Sequence, residues 1–212
     1  MNAIEKKYVY DTYSKIAHSF SNTRSYIWPS VKLFLDNLEA GSIILEVGCG
    51  NGKNLDYRKD CFNIGLDLCT EFCEITSQKE IDAIIANNTA LPLRTNSVDV
   101  VLSIAVIHHL STSDRRLNAV KELIRVLKPG GKLLIQVWAL EQPEKSKRRF
   151  TDGDNFVEFK SKDGTICEKR YYYIFNEEKF RNLFSTIDNI QIVELFLEHG
   201  NWVINLQKID SS

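Results

Sequence analysis

The residues most able to do chemistry in this sequence lie in three short stretches. The first is Glu46-Val47-Gly48-Cys49-Gly50-Asn51-Gly52-Lys53, a glycine turn that directly follows the apolar run Ser42 to Val47. Glycines let the backbone approach a ligand closely and adopt positive φ, and a strand running into such a turn is the setting of a nucleotide loop. The spacing is G-x-G-x-G. A dinucleotide fingerprint needs its third glycine at Lys53, where a side chain obstructs the packing of helix against pyrophosphate, and Walker A spacing is also absent. A ligand with a nucleoside and no pyrophosphate fits better. The second stretch is Ile64-Gly65-Leu66-Asp67, whose acid lies fifteen residues beyond Gly52. An acid at that strand end can accept both ribose hydroxyls of a nucleoside; the plainer alternative is a turn aspartate that caps the next helix. The third is Ser103 to Leu110, with His108 and His109 adjacent. Open α/β sheets hold their ligands at the carboxyl ends of strands, so these histidines are candidate substrate contacts, the alternative being loop histidines that cap a helix or only shape the pocket.

Alternating strands and helices must position these stretches. Ser42 to Val47, Asn63 to Leu68, Ile81 to Ala86, Ser97 to Ile104 and Lys132 to Trp138 are short apolar runs bounded by turn residues, which predicts five strands. A helix is expected from about Ser113 to Leu127. Upstream, Tyr8, Val9, Tyr13, Ile16 and Phe20 recur at helical spacing, Ser21-Asn22-Thr23 breaks the run, and Pro29 opens a second helix with Val31, Phe34, Leu35 and Leu38 on one face. The order predicts a doubly wound α/β domain, a mostly parallel seven-stranded sheet with helices on both faces. Glu141 to Asp154 reads as a basic loop. Lys169 to Phe175 and Val193 to Leu206 read as strands, with Phe180 to Phe184 helical between them, and a terminal antiparallel hairpin on the same sheet is expected. The expected organisation is one domain over 1–212: a helical lid at 1–40, a core at 42–138, and a substrate loop with terminal hairpin at 139–212.

Composition bounds the function. The 212 residues are 43% hydrophobic and 26% charged with a net charge of −1, so any nucleic-acid surface must be a local patch. No stretch approaches the roughly 20 apolar residues of a membrane span, and no membrane partner is expected. The cysteines, Cys49, Cys61, Cys69, Cys73 and Cys167, are odd in number and form no C-x-x-C pair. They predict free thiols in a reducing compartment and no metal site.

Taken together, L-E-V-G-C-G-N-G, I-G-L-D, A-L-P-L, S-V-D-V-V-L-S and V-L-K-P-G-G, spread over about Ile43 to Val137, resemble the successive motifs of class I methyltransferases, a Rossmann-like fold. The resemblance implies S-adenosyl-L-methionine as cofactor, with Glu46, Gly48, Gly50 and Asp67 around it, Ala105 counted with them, and Asn87 at the adenine amino group. Most members carry an acid at that last position; an Asn carbonyl can still accept from an amino group.

The acceptor is narrowed by what is missing. The N-P-P-Y motif of amide methylation and the P-C cysteine of pyrimidine C5 chemistry are absent, Cys49 sits in the cofactor loop, and no strong general base is evident. A carboxylate needs none, because it is ionised near neutral pH, and its methylation relies on in-line orientation in a dry pocket. A closer resemblance, carried by Y-D-T-Y-S-K-I-A-H-S-F-S-N-T-R, W-P, S-I-A-V-I-H-H-L-S-T-S-D-R-R, V-W-A-L-E-Q, R-Y-Y-Y and N-W-V-I over nearly the whole chain, is to the eukaryotic tRNA wobble-uridine carboxymethyl methyltransferases. It implies conversion of 5-carboxymethyluridine in the anticodon to its methyl ester, in the cytoplasm or the nucleus, together with a small zinc-binding methyltransferase activator protein as heterodimer partner.

That resemblance distributes roles. Arg24 and His108 orient the substrate carboxylate and ring. Trp138 and Trp202 wall the pocket or stack a base, with core packing as the alternative, and Trp28 and His109 are counted on the substrate side. Arg115, Arg116, Lys145, Lys147, Arg148 and Arg149 hold tRNA phosphates, with a solvated basic loop as the alternative. The family often carries a longer insertion after W-A-L-E-Q where this chain has a short basic loop. The third strand, Ile81 to Ala86, lacks lysine and proline and falls at a sheet edge in this fold, a position that proteins normally cover; the activator is the expected cover. The competing readings are a small-molecule methyltransferase of the quinone or sterol type, which would work without RNA, and a non-catalytic scaffold that retains the fold.

Overall fold

A computed structural model describes residues 1–161, 164–165 and 167–210. The first strands are apolar along their whole length. In β1 (Ile43–Val47) every residue but the first is buried, and in β4 (Val98–Ile104) every residue but Asp99. Such runs demand cover on both faces, which is the situation of a central parallel strand. They lie side by side in a seven-stranded sheet of order β3-β2-β1-β4-β5-β9-β8, where β2 is Phe62–Asp67, β3 Asp82–Ile85, β5 Leu127–Trp138, β8 Ile190–Glu198 and β9 Asn201–Lys208. β1 to β5 are parallel; β9 runs antiparallel to β5 and β8 antiparallel to β9. The chain winds outward from β1 in one direction and from β4 in the other. A crevice therefore opens at the carboxyl ends of these two strands, where such sheets bind ligands.

One apolar cluster fills the face covered by α6 (Ser113–Val126) and α7 (Glu177–Asn182), with Leu45, Val101, Leu123, Ile135 and Phe180 at its centre. The other lies under α3 (Pro29–Asp36), where Val31 and Leu35 meet Ile44, Leu102 and Leu134. Pro29 occupies the first turn of α3, where its missing N–H costs nothing, and Thr112 caps α6 by accepting from the Arg115 N–H. The far end of α6 is held by Lys208, whose Nζ donates to the carbonyls of Ile124 (2.8 Å) and Leu127 (2.7 Å) and to Asn96 Oδ1 (2.7 Å). A cation placed there complements the negative end of the helix.

The N-terminal segment runs through α1 (Ala3–Glu5), a π-helical turn at Lys6–Tyr10 and α2 (Asp11–Ser21). It crosses the crevice and packs on α5 (Thr70–Ser77) through Ala17, Cys69 and Phe72. Its start is latched by the buried Glu5, which accepts from the Ser111 N–H (2.9 Å) and, through both carboxylate oxygens, from Arg115 Nε (2.9 and 2.8 Å).

Two expectations need correction. Lys169 to Phe175 does not join the large sheet. β7 (Cys167–Ile174) pairs with β6 (Gly153–Lys160) in a separate two-stranded sheet. β6 reads as polar in sequence because only one of its faces meets protein, and a half-solvated strand differs little in composition from a loop. The terminal hairpin is instead β8–β9, turning at His199 and Gly200, both at positive φ. The fifth strand also begins earlier than Lys132: Leu127 pairs with Val98 and Lys132 with Val100, so the Pro129-Gly130-Gly131 turn loops out between two paired segments.

Candidate active site

A cavity of about 410 Å³ occupies the crevice, with the glycine turn at one end and an aromatic, arginine-lined chamber at the other. The turn is shaped by positive φ at Gly48 (+79°), Gly50 (+55°) and Gly52 (+68°), and a Cβ at Gly48 would run into the Val106 side chain. Opposite it, Ala105 is also left-handed (φ +61°), an uncommon state for a residue with a side chain. Its N–H donates to the Gln136 carbonyl (2.8 Å), which ties the end of β4 to β5.

Two acids line this end. Asp67 Oδ2 accepts from the Gly50 N–H and Oδ1 from the Cys69 N–H, both at 3.0 Å. The turn-aspartate alternative and the ligand role are thus compatible, because each carboxylate oxygen keeps a second lone pair. Burial raises its pKa to about 6 against the pull of these N–H donors. Glu46 is 1% exposed; its Oε1 accepts from Asn54 Nδ2 (2.6 Å), while Oε2 has no partner. Burial raises Glu46 to about 8. An orphaned buried carboxylate oxygen in a glycine cradle fits a cationic ligand group, and Asp67 beside Gly50 fits a ribose. S-adenosyl-L-methionine carries both features. Asn87 lines the same end, but its Oδ1 already accepts from the Thr89 N–H and hydroxyl, both at 3.0 Å. The side-chain donor, rather than the carbonyl anticipated from the sequence, is what remains for a ligand. Cys49 is buried, its thiol pushed far up by burial, and it packs beside Thr76.

In the chamber, a one-turn helix at Ile107–His109 presents the two histidines. His108 is fully buried; its Nδ1 accepts from the Trp138 backbone N–H (3.0 Å), which leaves the proton on Nε2, and Nε2 has no partner. His109 lies with Nδ1 against the Tyr171 carbonyl (2.8 Å) and Nε2 against the Tyr13 hydroxyl (3.0 Å). A carbonyl only accepts, so Nδ1 carries the proton and Tyr13 donates to Nε2. Burial holds His108 well below its ordinary value and His109 at about 3. Both rings are neutral near pH 7, and His109 has no free nitrogen. Trp138 stacks on Tyr172 (4.1 Å between centroids, 10° between planes), with Phe150 at 5.4 Å and the Arg148 guanidinium 4.4 Å over the indole. Arg24 sits 4.4 Å over Phe20.

The expected site residues divide accordingly. Glu46, Gly48, Gly50, Asp67, Asn87, Ala105, Arg24, Trp28, His108, His109, Trp138 and Arg148 all line the one cavity. Trp202 does not: it is packed in the core with its indole N–H on Glu141 (2.9 Å). Arg116 is buried, donates to the Leu110 carbonyl (2.9 Å) and stacks on Tyr173 at 3.6 Å, so the fold holds it away from phosphate. Arg115 borders the cavity but is committed to Glu5. Lys145, Lys147 and Arg149 are exposed on the loop outside it. Sequence reasoning assigned no role to Arg170, Tyr172 or Tyr13, all of which line the chamber. The available signal was the two-residue period of β7, which puts Arg170 and Tyr172 on one face.

Comparison with known proteins places these features in a family. The methyltransferase domain family (Methyltransf_11) matches residues 45–135. The chain is 37% identical to the tRNA (carboxymethyluridine(34)-5-O)-methyltransferase of Schizosaccharomyces pombe, covering 96% of this chain and 97% of that one. It is 50% identical to the protein of the same name from Arabidopsis thaliana over 68% of this chain, but spans only 35% of that relative. It likewise spans 22% of a 43% identical relative from Mus musculus. Among solved structures, the fold matches a putative methyltransferase in complex with the Haloferax volcanii Trm112 methyltransferase activator (TM-score 0.70, 16% identity, 96% of this chain and 99% of that one). It also matches a SAM-dependent methyltransferase from Aquifex aeolicus (TM-score 0.66, 18% identity, 92% and 98%).

Proposed function

Because this chain belongs to the tRNA (carboxymethyluridine(34)-5-O)-methyltransferase family of class I methyltransferases, we propose that it methylates the carboxylate of 5-carboxymethyluridine at the tRNA wobble position. S-adenosyl-L-methionine, when bound, supplies an electrophilic methyl group. Asp67 would hold its ribose, Glu46 its cationic end, and the Gly48–Gly52 turn would cradle it.

The observation that carries the reading is that the described residues of the acceptor chamber offer a surplus of donors and no histidine nitrogen free to act as a base. His109 is hydrogen-bonded on both nitrogens, and His108 spends its acceptor on the Trp138 N–H, so neither ring is free to take a proton. The chamber is lined instead by His108, whose remaining N–H is buried and unpartnered, and by the guanidiniums of Arg24 and Arg148. That set cannot deprotonate a hydroxyl or an amide, but it can hold an acceptor that is already an anion, and orientation alone then supplies much of the rate. The Trp138–Tyr172 stack offers the base a flat wall and excludes water.

The RNA beyond the base meets Lys145, Lys147, Arg148 and Arg149, whose loop opens beside the chamber, with Arg24 and Trp28 at its rim. Residues 1–40 act as the lid over the acceptor. A small zinc-binding methyltransferase activator covers β3, the outer strand of the parallel side, where Ile85 is 55% exposed. A substrate of this class places the work in the cytoplasm or the nucleus. The test is incubation with total tRNA from cells lacking this methylation, followed by nucleoside mass analysis. The methyl ester of 5-carboxymethyluridine should appear at the expense of the acid, and methylation of any other nucleoside would overturn the reading.

A further inference from the structure

Among the described residues, Arg170 is a buried charge with no carboxylate partner. It projects from the middle of β7 into the chamber and is only 5% exposed. Its Nε has no partner, and its hydrogen bond to the Glu158 carbonyl is a long 3.5 Å. Among the described residues, no carboxylate lies within 4 Å of it, nor of Arg24 or Arg148, although Arg115, Arg125 and Arg181 all have one. The acids lining the cavity lie elsewhere: Glu5 is spent on Arg115, and Glu46 and Asp67 sit at the glycine turn. Around Arg170 the structure supplies rings, Tyr172 at 5.3 Å, Phe159 at 5.5 Å and Phe20 at 5.9 Å, and the neutral hydroxyl of Tyr13, but no anion among the described residues. Cation–π contacts offset only a small part of the cost of burying a charge. Burial and Arg170 lower the pKa of Arg24, and burial and Arg170 lower that of Arg148 against the pull of Tyr172, whereas Tyr172 and Tyr13 outweigh burial at Arg170 and keep it charged.

A buried guanidinium facing a cavity, with a free N–H, aromatic walls and two further cations beside it, is a receptor short of its anion. We propose that Arg170 is the specificity-determining residue of the acceptor chamber, the group that receives the substrate's carboxylate and distinguishes the ionised acid from its neutral amide. The inference rests on the carboxylate reading of the substrate and adds to it the residue that recognises the charge. A guanidinium matches a carboxylate with two parallel donors, and no neutral isostere returns the same energy. Holding the carboxylate also withdraws charge from it, so Arg170 contributes to binding and orientation rather than to nucleophilicity, and its loss falls mainly on KM. The ester product is neutral and loses the same grip, so release follows from the reaction itself.

The test compares two anticodon stem-loop RNAs, one bearing 5-carboxymethyluridine and one its neutral isostere 5-carbamoylmethyluridine, bound to the chain in the presence of S-adenosylhomocysteine. The wild-type chain should prefer the acid by about tenfold or more, the worth of a charge-assisted hydrogen bond. Arg170→Met should bring the two affinities together and raise KM for the acid RNA. Arg170→Lys, which keeps the charge and loses the fork, should fall between. Neither should change affinity for S-adenosylhomocysteine, which also certifies the fold. Undiminished preference for the acid in Arg170→Met would overturn the proposal. If the wild-type chain methylates neither RNA, the substrate reading has failed, and the receptor is judged by NMR. The Arg170 Nε–H resonance, assigned by its disappearance in Arg170→Lys, should move on adding acetate and stay with acetamide. Equal response to both would overturn it.

Discussion

At the scale of single residues, the cofactor end is governed by two carboxylates whose burial works against their charge. Asp67 holds the Gly50 and Cys69 N–H groups and faces the cavity. Asp67→Ala should weaken S-adenosylhomocysteine binding by about 2–3 kcal/mol, read by calorimetry; unchanged affinity in a folded variant would remove it from the site. Glu46 makes a sharper prediction. With its pKa raised to about 8, it is protonated at neutral pH in the free protein. A ligand ammonium favours the ionised form, so binding should release a proton and affinity should rise with pH, by up to about tenfold per unit, levelling off above pH 8. For the ligand-free fold the sign is the reverse. The neutral Glu46 contributes stability that is complete below its ordinary 4.5 and lost as pH climbs through 8. Calorimetry from pH 6 to 9 in buffers of different ionisation enthalpy measures both, and a flat affinity would mean that Glu46 does not meet the ligand. These acids were legible in the sequence because strand, turn and acid are contiguous there. Arg170 and Tyr172 were not, because each lies more than sixty residues beyond the histidines they adjoin, on a strand that only the fold brings there.

At the scale of elements, the site depends on joints between pieces far apart in sequence. Lys208 pins the end of α6 to β9 by donating to the carbonyls of Ile124 and Leu127, more weakly to that of Arg125, and to Asn96. Lys208→Met keeps the stem and strips those acceptors of their donor, so denaturant unfolding should show a loss of about 2 kcal/mol or more. A change within about 0.5 kcal/mol, the range of ordinary surface substitutions, would show that water replaces the ammonium. The five parallel strands and α6 were readable because apolar runs, glycine turns and caps are local signals. β6 was not, because Gly153-Asp154-Asn155-Phe156 carries the composition of a loop, and only pairing with β7 makes it a strand. The same holds for the tryptophans. Trp138 and Trp202 both end up buried, but β5 delivers the first to the chamber and β9 turns the second into the core.

At the scale of the whole molecule, a net charge of −1 means that the proposed RNA binding must rest on a local surface. Replacing Lys145, Lys147 and Arg149 with glutamine, with Arg148 left over its tryptophan, should flatten the salt dependence of tRNA binding by roughly 0.7–0.9 for each phosphate no longer neutralised; an unaltered slope would make the loop merely solvated. The β3 edge invites a similar test. Ile85→Lys should abolish co-purification with a methyltransferase activator and leave S-adenosylhomocysteine binding intact, whereas an unaffected complex would place the interface elsewhere. Net charge and the five parallel strands could be read from the sequence alone, but the chamber could not, since it exists only where the lid, the main sheet and the smaller sheet meet.

The central claim is that the methyl acceptor is a carboxylate, held by donors in a chamber whose histidines have no nitrogen free to act as a base. The most direct measurement uses tRNA lacking the modification and S-adenosyl-L-methionine with a labelled methyl group, followed by mild alkali. The account predicts that the label leaves as methanol and the acid nucleoside is recovered. Label that stays on the base or the ribose after alkali would contradict it.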